Sequence, residues 1–290
     1  MTDGEHGLTE ESSHLGTWER LNACQVRRCV LNLGGSDNMS ERYLSAPLDI
    51  LRVIVTLGIL GSIAMFVATD GTIPYQFLTT SVVLVFLALL NLADTQIQRN
   101  EQWNRYTTFL FFGMLLGSIG DFLMAGVFYL TPVPLINGVI AFGIGHLFYL
   151  AALKDRSPLI LRGKQAEEES SKLILRNVVI WLASLVLVVA LFYMTVYNPS
   201  ELVLSYGVLG YGFLLVTVVA FSLTKWFDEF PLAFFLTLFL GFLLFFISDW
   251  VIGIKALREP AFLGNIAVGL TYLLGQLLIH LTPFIGSKQS

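Results

Sequence analysis

Charge is scarce in this chain. Only 13% of its 290 residues are Asp, Glu, Lys or Arg, about half the share of an ordinary soluble domain. With 55% hydrophobic residues, there is too little polar surface to clothe a fold in water. The composition is that of an integral membrane protein, for which lipid is part of the solvent. Cysteine is scarce too. Cys24 and Cys29 are the only two, both in a polar N-terminal stretch, which excludes a disulfide scaffold and fits a reduced, cytosolic setting. No basic stripe with interleaved aromatics occurs, so nucleic acid is excluded as a partner. The net charge of -4 describes the loops and little else. Residues 1–45 hold no continuous apolar stretch, so they are not a cleavable signal peptide.

Apolar runs long enough to cross a bilayer, about 20 residues each, occupy roughly 46–68, 74–93, 107–130, 134–153, 174–195, 202–223, 230–254 and 261–281. Backbone in lipid must satisfy its own hydrogen bonds, and the runs are too long for barrel strands. The expected fold is therefore all-α, a polytopic membrane bundle of eight transmembrane helices. Pro74, Pro134, Pro231 and Pro260 lie near span starts, where a missing donor costs little. Residues 1–45 are expected to be a disordered cytosolic leader, 46–285 the membrane domain, and 286–290 a short tail.

Positive charge sets the expected orientation. With the N-terminus in the cytosol, the loop at 154–176 carries Lys154, Arg156, Arg162, Lys164, Lys172 and Arg176, and the opposite loops carry only Lys255 and Arg258. Both termini are thus expected on the cytosolic side, in the endoplasmic reticulum membrane of a eukaryote or the inner membrane of a bacterium. The run Glu167, Glu168, Glu169 in the same loop reads as a solvated, flexible segment.

An internal repeat is visible. Phe111-x-Gly113-x-Leu115-Leu116-x-x-Ile119-x-Asp121 recurs as Phe239-x-Gly241-x-Leu243-Leu244-x-x-Ile247-x-Asp249, six of eleven positions at an offset of 128. Asn137 and Asn265 share that offset, and Gly145-His146-Leu147 matches Gly275-Gln276-Leu277 at 130. Two parallel four-helix halves would produce this pattern, as would chance among Phe, Leu and Gly in apolar helices.

Ionisable groups inside lipid cost at least about 2.5–3.5 kcal/mol each, so the few present are the first functional candidates. Asp121 falls in the middle of the third run and His146 in the middle of the fourth; Asp249 falls in the outer half of the seventh. Asp49 and Arg52 read as a local pair with Arg52 snorkelling to headgroups, and His280 as an interfacial group at the end of the last helix. Asn137, Tyr149, Ser248, Asn265, Tyr272 and Gln276 are second-rank candidates for substrate contact, interhelical hydrogen bonding being the competing explanation for each.

The candidates limit the chemistry. There is no GxSxG elbow and no membrane cysteine, and Ser248 points about 100° away from Asp249 on a helix. No P-loop or dinucleotide fingerprint occurs, and no spacing marks a metal site. What remains is two carboxyls and a histidine. Neighbouring carboxyls can share one proton and so act as an acid and a base in hydrolysis through an oxocarbenium-like transition state. A proton-coupled membrane transporter could use the same set.

Four stretches in order resemble the motifs of one family. They are Gly120-Asp121 in the third run, Phe142-x-x-x-His146-x-x-Tyr149 in the fourth, Ser248-Asp249 in the seventh and Tyr272-x-x-x-Gln276-x-Leu278-Ile279 in the eighth. Together, over about 45–285, they resemble the lysoplasmalogenase (YhhN) family of eight-span membrane enzymes. The resemblance implies hydrolysis of the vinyl ether bond of 1-alkenyl lysophospholipids, releasing a fatty aldehyde and glycerophosphocholine or glycerophosphoethanolamine. It implies Asp121, Asp249 and His146 as catalytic residues, one Asp as acid and the other as counter-charge and base, with His146 orienting a carboxyl. Tyr149, Tyr272 and Gln276 would position the glycerol or water. No metal or organic cofactor is implied, and the partner is a lysophospholipid entering from the bilayer.

Overall fold

The computed structural model describes residues 37–73, 75–155, 164–227, 230–258 and 264–287. Its helices are α1 (Asp37–Ala68), α2 (Gln76–Ile97), α3 (Glu101–Met124), α4 (Pro134–Asp155), α5 (Lys164–Thr195), α6 (Leu202–Thr224), α7 (Leu232–Arg258) and α8 (Asn265–Ser287), with one 3-10 turn after α6 at Lys225–Phe227. Each of the eight is long and apolar enough to cross a membrane. The chain is an integral multi-pass membrane protein with the expected eight-helix fold.

Several boundaries differ from the expectation: the eighth span runs Ile266–Gly286 rather than 261–281, and two others differ for local reasons. The third span ends at Met124, not near 130. Gly126 sits at φ 70°, Val127 N–H donates to the Phe122 carbonyl and Gly126 N–H to that of Leu123. This is a glycine C-cap of the Schellman type, and it stops the helix although Val127, Phe128, Tyr129 and Leu130 remain apolar. Asp121 therefore lies one turn from the end of α3, not at mid-span. The helix of the fifth span opens at Lys164, so the backbone at 167–169 is helical where a flexible loop was expected. Residues 1–36 of the leader, 156–163 of the loop and the end of the tail lie outside the described residues.

The two halves repeat one packing plan. Along the chain α2 packs on α3, α3 on α4, α6 on α7 and α7 on α8; across it, α2 reaches α8 and α6 reaches α4. A Cβ on Gly145 would lie 3.0 Å from the Gly113 carbonyl oxygen and 3.4 Å from the Leu116 Cβ. A Cβ on Gly275 would lie 2.8 Å from the Gly241 oxygen and 3.4 Å from the Leu244 Cβ. Those are the same contacts carried over by the sequence repeat. Lipid offers no hydrophobic drive between helices, so glycines that let backbones touch supply the packing instead.

α1 and α5 lie at the edge. α1 ties to α2 through Ser62 and Thr80 hydroxyls 2.6 Å apart and through the Gln76 amide donating to the Ser62 carbonyl. α5 ties to α6 by Trp181 donating to Thr217. Their outer faces expose Ile50, Leu57, Val186 and Met194 at well over half, which suits lipid and not water.

Arg52 corrects an expectation. It does pair with Asp49, at 3.0 Å, but it does not snorkel: it is 4% exposed and pairs more closely with Asp94 of α2, at 2.6 Å. Gln98 donates to both oxygens of Asp94. Removing one member of a buried pair strands the other charge and costs about 3–5 kcal/mol. Arg52→Met should therefore lower the melting temperature in detergent sharply, and adding Asp94→Leu should restore most of the loss. A single variant as stable as wild type would show that the pair contributes nothing.

Candidate active site

Asp121 is held by α3, with partners from two other helices. Ser81 of α2 donates to its Oδ2 at 2.5 Å, and the Tyr272 hydroxyl of α8 donates to the same oxygen at 2.8 Å. Glycines make this approach possible. A Cβ on Gly117 would touch the Tyr272 hydroxyl at 3.5 Å and the Gln276 amide at 3.6 Å, and one on Gly120 would press into the Phe142 ring at 2.8 Å.

Asp249 stands at the equivalent place in α7. Tyr211 of α6 donates to its Oδ2 at 2.5 Å. Its Oδ1 is buried and has no partner among the described residues. Asp249 and Tyr211 line a small cleft of about 20 Å³, room for about one water, whose other walls are Met124, Leu135, Val139, Phe142, Val208, Ile252 and Gly253. In that apolar cleft the carboxyl is the one ionisable group besides the phenol.

Aromatic rings pack between the two carboxyls. Tyr272 lies 5.2 Å from Phe245 and 6.1 Å from Phe142, centroid to centroid, and Phe142 and Phe245 meet edge to face at 6.3 Å. His146 sits against Phe245 at 4.7 Å and edge-on to Tyr211 at 5.9 Å. Its Nδ1 is 2.7 Å from the Phe142 carbonyl. A carbonyl only accepts, so Nδ1 carries the hydrogen and Nε2 keeps a lone pair, which has no partner among the described residues.

The structure sorts the expected site residues. It brings together Asp121, Tyr272 and the His146 ring by a chain of contacts, and adds Tyr149, which donates to the Gln276 side-chain oxygen at 2.9 Å. The Gln276 amide nitrogen is left without a partner among the described residues. His146 differs from the expectation: its ring nitrogens bond no carboxyl among the described residues, and it meets Asp249 only through Tyr211. His280, expected as an interfacial group, packs inside the bundle. It is fully buried, its carbonyl accepts from Asn91, and its Nε2 is 3.4 Å from the Tyr149 hydroxyl. Asn137 and Ser248 are taken up elsewhere. The Asn137 amide clasps the backbone of Thr131 in the α3–α4 loop, and Ser248 donates to the Val268 carbonyl. The Asn265 side chain lies outside the described residues.

Ser81 and Tyr211 were not among the expected residues. A lone hydroxyl in an apolar helix looks like one bonded back to its own turn, as Thr80 and Thr217 are. The available signal was the repeat: Ser81 and Tyr211 are 130 positions apart, the spacing of Gly145 and Gly275.

Buried polar atoms are nearly always bonded, so unpartnered ones mark places built for a ligand or water. Here Asp249 Oδ1, on a residue that lines the cleft, has no partner among the described residues, and neither have His146 Nε2 and Gln276 Nε2, whose residues are not among the cleft's lining. Among the described residues no group of three His, Cys, Asp or Glu is placed to hold a metal ion. The arrangement can deliver a proton to an apolar substrate and hold a cation near aromatic faces and a carboxylate. A sequence profile described as the YhhN family matches residues 75–282, from the loop before α2 nearly to the end of α8, both carboxyls included. No curated protein sequence and no solved structure matches the chain.

Proposed function

The chain belongs to the YhhN family, and from that premise we propose that it is a lysoplasmalogenase, a hydrolase of the vinyl ether bond in 1-alkenyl lysophospholipids. The observation that carries the reading is the pair of buried carboxyls, Asp121 and Asp249, each fixed by a hydroxyl, with Asp249 lining an apolar cleft and one of its oxygens unpaired among the described residues.

Vinyl ether hydrolysis needs what these groups offer. A proton is added to the alkene carbon remote from oxygen. The resulting oxocarbenium ion is captured by water, and the hemiacetal breaks down to a fatty aldehyde and the glycerophospho alcohol. One carboxyl gives the proton. The other, as carboxylate, opposes the cation and takes a proton from water. The walls formed by Leu135, Val139, Val208 and Ile252 are apolar, as an alkenyl chain arriving from lipid requires, and the chain would have to widen the cleft to enter it. Gln276 and Tyr149 offer hydrogen-bonding groups for water or the glycerol hydroxyl.

The test uses purified protein in detergent with 1-alkenyl lysophosphatidylcholine, reading released aldehyde, with the 1-acyl lysolipid as control. Aldehyde from the alkenyl lipid alone is expected. Folded protein that releases none would overturn the reading.

A further inference from the structure

The two carboxyls are built alike but not finished alike. Ser81 in α2 and Tyr211 in α6 occupy equivalent positions of the two halves, and each donates to the Asp of the third helix of its half. Asp121 then receives a second O–H, from Tyr272. The position equivalent to Tyr272 in the first half is Phe142, which has no hydroxyl to give Asp249. So Asp121 Oδ2 accepts two hydrogen bonds and Asp249 Oδ2 accepts one, while Asp249 Oδ1 has no partner among the described residues. Asp249 and Tyr211 line the cleft; Asp121 is not among its lining residues.

We infer that Tyr211 is a positioning residue that makes Asp249 the proton donor of the pair, with Asp121 as the carboxylate that opposes the cation. The inference rests on the vinyl ether reading above. A phenol donating to Oδ2 fixes the plane of the Asp249 carboxyl and occupies that oxygen as an acceptor, which leaves the acid proton on Oδ1, the buried oxygen without a partner among the described residues, on a residue that lines the cleft. Asp121, accepting from two hydroxyls, is placed to accept rather than to give.

The step then balances. Asp249 Oδ1 gives its proton to the remote alkene carbon. The π pair becomes the new C–H bond, and positive charge is left on the carbon bonded to the ether oxygen. Water adds to that carbon and gives one proton to Asp121. The hemiacetal breaks its bond to the glycerol oxygen, which takes the hemiacetal's hydroxyl proton, and the aldehyde departs. Solvent returns the proton from Asp121 to Asp249.

The experiment is Tyr211→Phe in the full-length protein, purified in detergent. The turnover number should fall by up to about 10²-fold, with KM and melting temperature close to wild type. A second readout is the infrared carbonyl band of a protonated carboxyl. That band should vanish in Asp249→Asn, persist in Asp121→Asn and shift in Tyr211→Phe. A Tyr211→Phe protein that loses stability while kcat and the band stay in place overturns the inference. So does a band that vanishes in Asp121→Asn instead. The infrared measurement needs no turnover, so it decides the assignment even if wild type releases no aldehyde, a result that would sink the hydrolase reading by itself.

Discussion

Asp249→Asn should remove aldehyde release while leaving a folded protein. The amide keeps the shape of the carboxyl, and its oxygen can still accept from Tyr211, which bonds Oδ2 at 2.5 Å in the wild type. What is lost is the acid. A positioned general acid contributes about 10²–10⁴-fold to rate, so turnover should fall by that factor at little cost in KM. Asp121→Asn removes a negative charge instead. Its oxygen can still accept from Ser81 and Tyr272, so the bundle should hold while the cation loses its counter-charge. Turnover of the alkenyl lysolipid, read beside the melting temperature and gel filtration of each variant, checks both. Full activity in the two variants would remove both carboxyls from the chemistry and leave them as interhelical ties.

The eight spans were legible because lipid leaves the chain few options. A run of about 20 apolar residues admits only a helix. The repeat was legible for a similar reason: Gly145, Gly241 and Gly275 are needed where backbones touch, and Gly113 where the Tyr149 ring packs. What stayed hidden was direction. A sequence shows that Arg52 opens the first span, but not that it turns inward to Asp94. His280 looks terminal by position, yet its helix continues to Ser287 and carries it into the packed interior. Asp121 looked central because Val127 to Leu130 extend the hydropathy, and a single glycine at φ 70° ends the helix before them. Of the expected polar residues, Tyr272 and Gln276 face the carboxyl side because glycines on α3 admit them. Asn137 and Ser248 do not, because loop and helix backbones use their hydrogen bonds first. Ser81 and Tyr211 needed the repeat to be carried from the motif helices to their neighbours.

The glycine contacts also predict which backbone positions matter most for the fold and the site together. At Gly275 a Cβ would lie 2.8 Å from the Gly241 carbonyl oxygen and 2.9 Å from the Phe245 backbone nitrogen. Neither atom can rotate away, as a side-chain tip could, so α8 must move off α7. Overpacking of this kind typically costs about 1–3 kcal/mol. At Gly145 the equivalent oxygen, on Gly113, is 3.0 Å away and the nearest backbone nitrogen, on Gly117, is 3.7 Å away, so the same substitution asks for a smaller shift. Gly275→Ala should therefore lower the melting temperature more than Gly145→Ala. It should also cost more activity than its stability loss explains. Tyr272 is three residues before Gly275 and Gln276 is the next residue, so a shift of α8 there pulls the Tyr272 hydroxyl from Asp121, 2.8 Å away. Misplacing a reacting group by about 1 Å can cost about 10²-fold in rate. Melting temperatures and turnover measured on the two alanine variants test the ordering. Equal effects would mean that the bundle yields at both seams alike and that the tighter contact at Gly275 does not set the position of Tyr272.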